Sequence, residues 1–155
     1  MQARNTKLLN DYPLLWSNHD VEGVLQLFSD DCCYEDAVLG WLHRGKVELR
    51  EFAAAVFTMH PDFRLNYVSA FANDTRGAAE WIIEASFEGD FEGVPVARKP
   101  VTFRGATLFE FRDGLIFRNT DFWDYADWMR QLGVMTLRST LKPGASETAH
   151  PSSPL

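Results

Sequence analysis

From Phe63 to Trp123 the chain passes through one strand-patterned segment after another with no helical pattern between them, and this order limits the available folds most. Phe63–Phe71 alternates apolar and polar residues, and Asn73-Asp74 with Gly77 supplies a turn. Ala78–Phe87 follows, carrying Trp81, Ile82, Ile83 and Phe87. Glu88–Pro95, rich in glycine and acids, reads as a loop. Val101–Phe111 and Leu115–Trp123 then flank Arg112-Asp113-Gly114, where Asp-Gly provides the positive-φ positions of a tight hairpin.

Helices precede this run. Residues 5–18 place Leu8, Leu9, Tyr12, Leu15 and Trp16 at helical spacing, so one face is apolar. Asn18-His19-Asp20 ends that helix, and Asp20 caps the next, Val21 to Phe28. Ser29-Asp30-Asp31 turns the chain into a short strand, Cys32 to Asp36. Gly45 precedes a third helix over about 46–58, whose Val47, Leu49, Phe52, Ala53, Val56 and Phe57 form one stripe, and His60-Pro61-Asp62 stops it. After the strands, Asp124 caps a last helix, 125–132, that ends at Gly133. Helices with one short strand, then antiparallel strands, then a terminal helix make an α+β plan. The 155 residues fit one domain, 1–135. Residues 136–155 carry no hydrophobic pattern and are expected to form a disordered tail.

Charge and cysteine content narrow the partners. The net charge is −7 and the 15 basic residues are scattered, whereas tracking a phosphate backbone needs a basic stripe, so no nucleic-acid partner is expected. No apolar run approaches the roughly 20 residues that span a bilayer, and the N-terminus lacks the apolar core of a secretory signal. The expectation is a cytoplasmic protein without a membrane partner. Cys32 and Cys33 are neighbours that a strand points to opposite faces. They read as buried thiols, not as metal ligands or a redox pair.

Two stretches carry a resemblance. Asp20–Asp36 (DVEGVLQLFSDDCCYED), with Arg44-Gly45 opening a helix, and Val101–Gly133 (VTFRGATLFEFRDGLIFRNTDFWDYADWMRQLG) resemble the nuclear transport factor 2-like superfamily over roughly residues 8–133. Within it the chain is most similar to the SnoaL-like polyketide cyclases. Ketosteroid isomerases and limonene-epoxide hydrolases are more distant relatives. The resemblance implies a cone, a curved antiparallel sheet wrapped around the N-terminal helices with a deep apolar pocket between them. It also implies a small hydrophobic ligand and a homodimer through the outer sheet face. Such a fold hosts catalysts, binders and assembly domains alike.

Asp121 is the leading candidate for chemistry. Leu115, Phe117, Asn119, Asp121 and Trp123 share one strand face by period 2. A carboxylate among Phe117, Trp123 and the aromatics of the first helix is poorly solvated. Desolvation raises its pKa toward neutrality, where it can both take and return a proton. In the cyclases that this stretch resembles, the Asp at this position is the general acid/base. The competing reading is a solvated turn acid or a helix cap, a role Asp124 fills more naturally.

Tyr12 and Asp36 fall where the resemblance to ketosteroid isomerases puts an oxyanion donor and a proton-shuttling base. The isomerases' further donor aligns with Thr107, whose hydroxyl donates more weakly than a carboxylic acid. The resemblance to epoxide hydrolases puts Glu80 and Ile82 where an Arg and an Asp stand, so that triad is broken. Glu80 and Glu84 read as a solvated outer face, with Arg104 pairing to one of them across the sheet. Trp16, Trp81, Thr107, Phe109, Phe117, Asn119 and Trp123 are the candidate substrate contacts. His19, His43, His60 and His150 stand among helix-end, loop and tail signals and read as exposed, with a catalytic role at His60 as the lesser alternative.

With no metal-ligand cluster and no phosphate-binding glycine loop in the sequence, the leading expectation is an acid/base enzyme without a cofactor. It would act on a hydrophobic carbonyl compound by aldol cyclisation or isomerisation. The alternatives are a non-catalytic ligand-binding or dimerisation module with the same cone, and a hydratase or epoxide hydrolase-like enzyme.

Overall fold

The structure is a computed structural model that describes residues 1–91 and 93–135. The segment 136–155, expected to be a disordered tail and including His150, lies outside the described residues. Helices α1 (Gln2–Ser17) and α2 (Val21–Gln26) lead into strands β1 (Phe28–Asp36) and β2 (Trp41–Arg44). Helix α3 (Gly45–Met59) follows, then strands β3 (Arg64–Ala72), β4 (Arg76–Phe91), β5 (Val94–Arg112) and β6 (Leu115–Trp123), and helix α4 (Tyr125–Leu132). One curved sheet takes the order β2-β1-β6-β5-β4-β3. All its pairings are antiparallel except β1 with β6, which run parallel, with α3 and four strands between them in sequence. The α+β class and the curved sheet over N-terminal helices stand as expected, with this one parallel pair added.

Local chemistry sets the helix ends as read from the sequence. Asp20 accepts from the Gly23 N–H at 2.8 Å and Asp124 from the Asp127 N–H at 2.8 Å. Each satisfies a donor that a helix start leaves open. Gly133 closes α4 with φ 83°, a left-handed cap that glycine adopts without a Cβ penalty. Asn5, fully buried, donates to the carbonyls of Asn73 and Asp74 at 2.8 and 3.0 Å, tying α1 to the turn between β3 and β4. Leu9, Tyr12 and Trp16 of α1 and Leu49, Ala53 and Phe57 of α3 pack onto Trp81, Phe109 and Ile116 of the sheet.

Four expectations need correction. Strand β1 starts at Phe28, four residues early, and α2 stops at Gln26. Strand β2, which pairs with β1 from Cys33↔Arg44 to Asp36↔Trp41, was not expected. Glu88–Pro95 is not a loop: β4 and β5 continue until Phe91 pairs with Val94. Phe87 and Phe91 lie against Trp128 of α4, beside a small core of Val96, Val101 and Leu132, and that burial draws the hairpin out. Val47 leaves the α3 stripe, being 72 % exposed. Among the described residues no helix is long and apolar enough to cross a membrane.

Candidate active site

Between the sheet and the helices lies a cavity of about 780 Å³, walled by Tyr12 and Trp16 of α1, Tyr34 and Asp36 of β1, and Phe52 and Val56 of α3. The sheet adds Leu65, Trp81, Ile83, Phe103, Thr107, Asp121 and Trp123, and α4 closes one side with Trp128. The volume suits a drug-sized ligand. All five tryptophans of the chain, Trp16, Trp41, Trp81, Trp123 and Trp128, are on this wall.

Asp121 lies where three side chains converge. Tyr34 Oη donates to Oδ2 at 2.5 Å, while Thr107 Oγ1 and Asn119 Nδ2 donate to Oδ1 at 2.6 and 2.9 Å. Two of these donors are themselves oriented from behind. Trp81 Nε1 donates to Thr107 Oγ1 at 2.8 Å, and an indole N–H can only donate, so the Thr107 hydroxyl must turn its proton toward Asp121. Tyr12 Oη donates to Asn119 Oδ1 at 3.0 Å, which fixes that amide with its NH2 toward Asp121. A carboxylate oxygen offers about two acceptor directions. Oδ1 is therefore filled, and Oδ2 keeps one direction open.

Electrostatics favour a proton on this group. Burial raises the Asp121 pKa to about 6 against the lowering effect of Thr107, Tyr34 and Asn119, and the charge of Asp36 pushes it further up. Burial likewise raises the Tyr12, Tyr34 and Tyr67 hydroxyls well above the ordinary phenol value, with the Asp121 charge adding to it, so these phenols stay protonated donors.

Asp36 pairs with Asp121 across the β1–β6 ladder and is 9 % exposed. Its Oδ1 accepts the Val38 and Leu39 N–H groups at 3.0 and 2.9 Å, closing the turn after β1, and its Oδ2 accepts Trp123 Nε1 at 2.9 Å. Of the residues singled out from the sequence, Asp121, Asp36, Tyr12, Trp16, Trp81, Thr107 and Trp123 are thus brought to one wall. Phe109 and Asn119 sit behind it, fully buried, Phe109 edge-on to Tyr12 and Asn119 within the network.

Phe117 is a correction. Glu110 pairs with Arg118 but Phe111 with Ile116, so Phe117 is the extra residue of a β-bulge. The bulge turns Ile116 inward and leaves Phe117 beneath the Arg112 guanidinium, 4.0 Å from its ring centroid and away from the cavity. Arg104 pairs with Glu80 on the outer face, as read.

Sequence reasoning missed Tyr34, although alternation with Cys32 and Asp36 put all three on one strand face. It also misplaced two histidines. His43 lies on the unexpected strand β2 and stacks on Phe52 at 4.5 Å, and His60 holds the Ser86 carbonyl through Nδ1 at 2.9 Å. Both line the cavity and are half-buried, not exposed. His43 Nε2 and Trp16 Nε1 are buried polar atoms without a hydrogen-bond partner. Among the described residues no group of three or more His, Cys, Asp or Glu side chains is arranged to hold a metal ion.

The sequence profile of the SnoaL-like polyketide cyclases matches residues 6–132. Among curated proteins none matches the chain significantly. A protein of Pseudomonas putida KT2440 described as a polyketide cyclase is 25 % identical, with a TM-score of 0.73 over 82 % of this chain and 96 % of that one. A counterpart from Xanthomonas campestris is 24 % identical, with a TM-score of 0.75 over 84 % and 98 %. A protein of ketosteroid isomerase-like fold from Catenulispora acidiphila DSM 44928 is 17 % identical, with a TM-score of 0.71 over 83 % and 93 %.

Proposed function

The chain belongs to the SnoaL-like polyketide cyclase family, and from that premise we propose that it is a cofactor-independent acid/base enzyme in which Asp121 moves a proton on a hydrophobic carbonyl compound. The observation that carries this reading is a single one. A carboxylate with a pKa of about 6 and one open acceptor direction on Oδ2 lines an apolar cavity of about 780 Å³. A base works best when its pKa lies near the working pH, because it is then largely ionised yet still basic.

The steps follow from that geometry. Asp121 Oδ2 takes a proton from the carbon next to a substrate carbonyl, and the C–H electron pair becomes an enolate. In a cyclisation the enolate carbon bonds to a second carbonyl carbon of the same molecule. The resulting alkoxide recovers the proton from Asp121, which returns to the carboxylate. In an isomerisation the proton returns to another carbon instead. Thr107, Asn119 and Tyr34 hold the base in place, so little reorganisation accompanies the transfer. Tyr12 and Thr107 are engaged behind and beside Asp121.

A binder of neutral apolar ligands with the same cone has no use for acids on its pocket wall, whereas Asp36 and Asp121 both face the cavity. A hydrolase needs a second water-activating acid on β4, and Glu80 there is turned outward to Arg104. Asp121→Asn tests the reading on a panel of polycyclic and polyketide-like ketones, because it keeps the shape and removes the base. Turnover should fall by more than a hundredfold with ligand binding retained. A loss under about tenfold, roughly 1.4 kcal/mol of barrier, removes Asp121 as the base. The family's assembly and the exposed Phe71, Leu108 and Phe122 on the outer sheet face also support a homodimer.

A further inference from the structure

The two acids on the cavity wall are hydrogen-bonded but have no counter-charge beside them. Asp36 and Asp121 stand side by side on β1 and β6, and no lysine or arginine among the described residues lines the cavity. Ion pairs elsewhere engage acids such as Glu22, Glu35, Asp62, Glu80 and Glu110 with arginines, and every pair among the described residues lies off the cavity wall. A buried charge without a counter-charge is unfavourable, and proteins ordinarily pair it. Here the partner is missing at a cavity that is open to a ligand.

The wall beside Asp36 is suited to a cation. Trp123, whose N–H donates to Asp36, has its ring 5.1 Å from that of Phe103, 5.3 Å from Tyr125 and 6.1 Å from Trp128. Aromatic faces attract organic cations, tryptophan most strongly, and the attraction grows where water is excluded. An anionic ligand meets two carboxylates and no basic side chain except His43 and His60.

We propose that the cavity's ligand is a hydrophobic organic ammonium ion, its cationic centre held at Asp36 and the aromatic faces around Trp123. This deepens the acid/base reading and rests on it for the choice of cavity. The substrate carries an amine as well as the reacting carbonyl, and the amine at Asp36 leaves Asp121 Oδ2 for the proton.

The test compares benzyltrimethylammonium with neopentylbenzene, its uncharged carbon isostere, and with phenylacetate. The full chain is titrated at pH 8.5, above the ordinary imidazole range. Tyr12 and Tyr34 on the wall stay protonated there, because burial raises both phenols well above their ordinary value. Tryptophan fluorescence reads the titration, since all five tryptophans line the cavity. The ammonium should bind at least ten times more tightly than the isostere, and phenylacetate more weakly than either. Asp36→Asn should narrow the preference at least threefold. Equal or tighter binding of the isostere, no binding of the ammonium up to millimolar concentration, or an unchanged preference in a folded Asp36→Asn protein overturns the proposal. The wild-type comparison decides it even if that variant does not fold. None of these results touches the loss of turnover in Asp121→Asn, so the two readings fail separately.

Discussion

A carboxylate that accepts hydrogen bonds from three side chains ordinarily titrates low, because each donor favours the charged form. Asp121 does the reverse and sits at about 6, because burial outweighs Thr107, Tyr34 and Asn119 and the Asp36 charge adds to it. In the unfolded chain the same group titrates near 3.9. Between those values the folded state binds the proton more tightly, so its contribution is fully favourable below about pH 4 and is lost as pH rises through about 6. Above that window the ionised form costs the fold on the order of 3 kcal/mol. Asp121→Asn should therefore be more stable than wild type at pH 8, by about 1–3 kcal/mol, with the gap closing below pH 4. Urea unfolding at both pH values checks it, and a mutant less stable at pH 8 contradicts a strained buried charge. The same ionisation governs rate. The kcat/KM of wild type should fall tenfold per pH unit below about 6. Tyr34→Phe removes a donor from the carboxylate, so the acid limb should move to higher pH. A limb that stays in place would mean that the 2.5 Å contact does not bias the titration.

Elements decide how much of this could be read in advance. The caps at Asp20, Asp124 and Gly133 and the Asp113-Gly114 hairpin were legible because each rests on a local rule of a few residues. Period-2 alternation from Glu80 and Glu84, read as the outer face, puts Trp81, Ile83, Ala85 and Phe87 on the inner face of β4, where they line the cavity. The same rule failed on β6, since the bulge at Phe117 shifts the phase by one residue and nothing local announces it. The drawn-out β4–β5 hairpin was hidden for another reason, since it rests on α4, which is distant in sequence, while the four-residue and mostly exposed β2 has no buried face for alternation to reveal. Of the site, Asp121 and most of its wall were visible. The direction of the Tyr12 and Thr107 hydroxyls was not, because it follows from which neighbours they meet. Gly105 shows how tightly β5 holds that arrangement. It faces Trp81 and Trp123 across the sheet, and a Cβ there would come within 2.4 Å of Trp81 ring carbons and 2.5 Å of the Phe122 carbonyl. Gly105→Ala should lower stability by about 1–3 kcal/mol. It should also reduce kcat more than it raises KM, because displacing Trp81 frees the Thr107 hydroxyl from its orienting donor. A variant with normal turnover would show that Trp81 packs against the base without positioning it.

At the scale of the whole molecule the sheet has two faces with different tasks. The concave face and the helices line the cavity. The convex face is left with apolar side chains in water. Phe71, Leu108 and Phe122 are 70 %, 52 % and 46 % exposed. They are neighbours: Phe71 pairs with Ala78, Ala78 with Leu108, and Phe122 with Ala106 two residues along β5. Large apolar groups gathered on one sheet face mark an interaction surface more often than a solvated one. The proposed homodimer would bury this face, with the Glu80–Arg104 pair on the same side helping to set the register. Sedimentation equilibrium should then give about twice the 17.7 kDa chain mass. Leu108→Glu combined with Phe122→Glu should give a monomer, since two carboxylates per chain would be buried without partners. Because both side chains point away from the cavity, the monomer should keep its ligand affinity within about threefold, as far surface changes usually do. A wild-type protein that sediments at 17.7 kDa removes the dimer, and a monomeric variant that loses ligand binding means that convex and concave faces are coupled through β5 and β6.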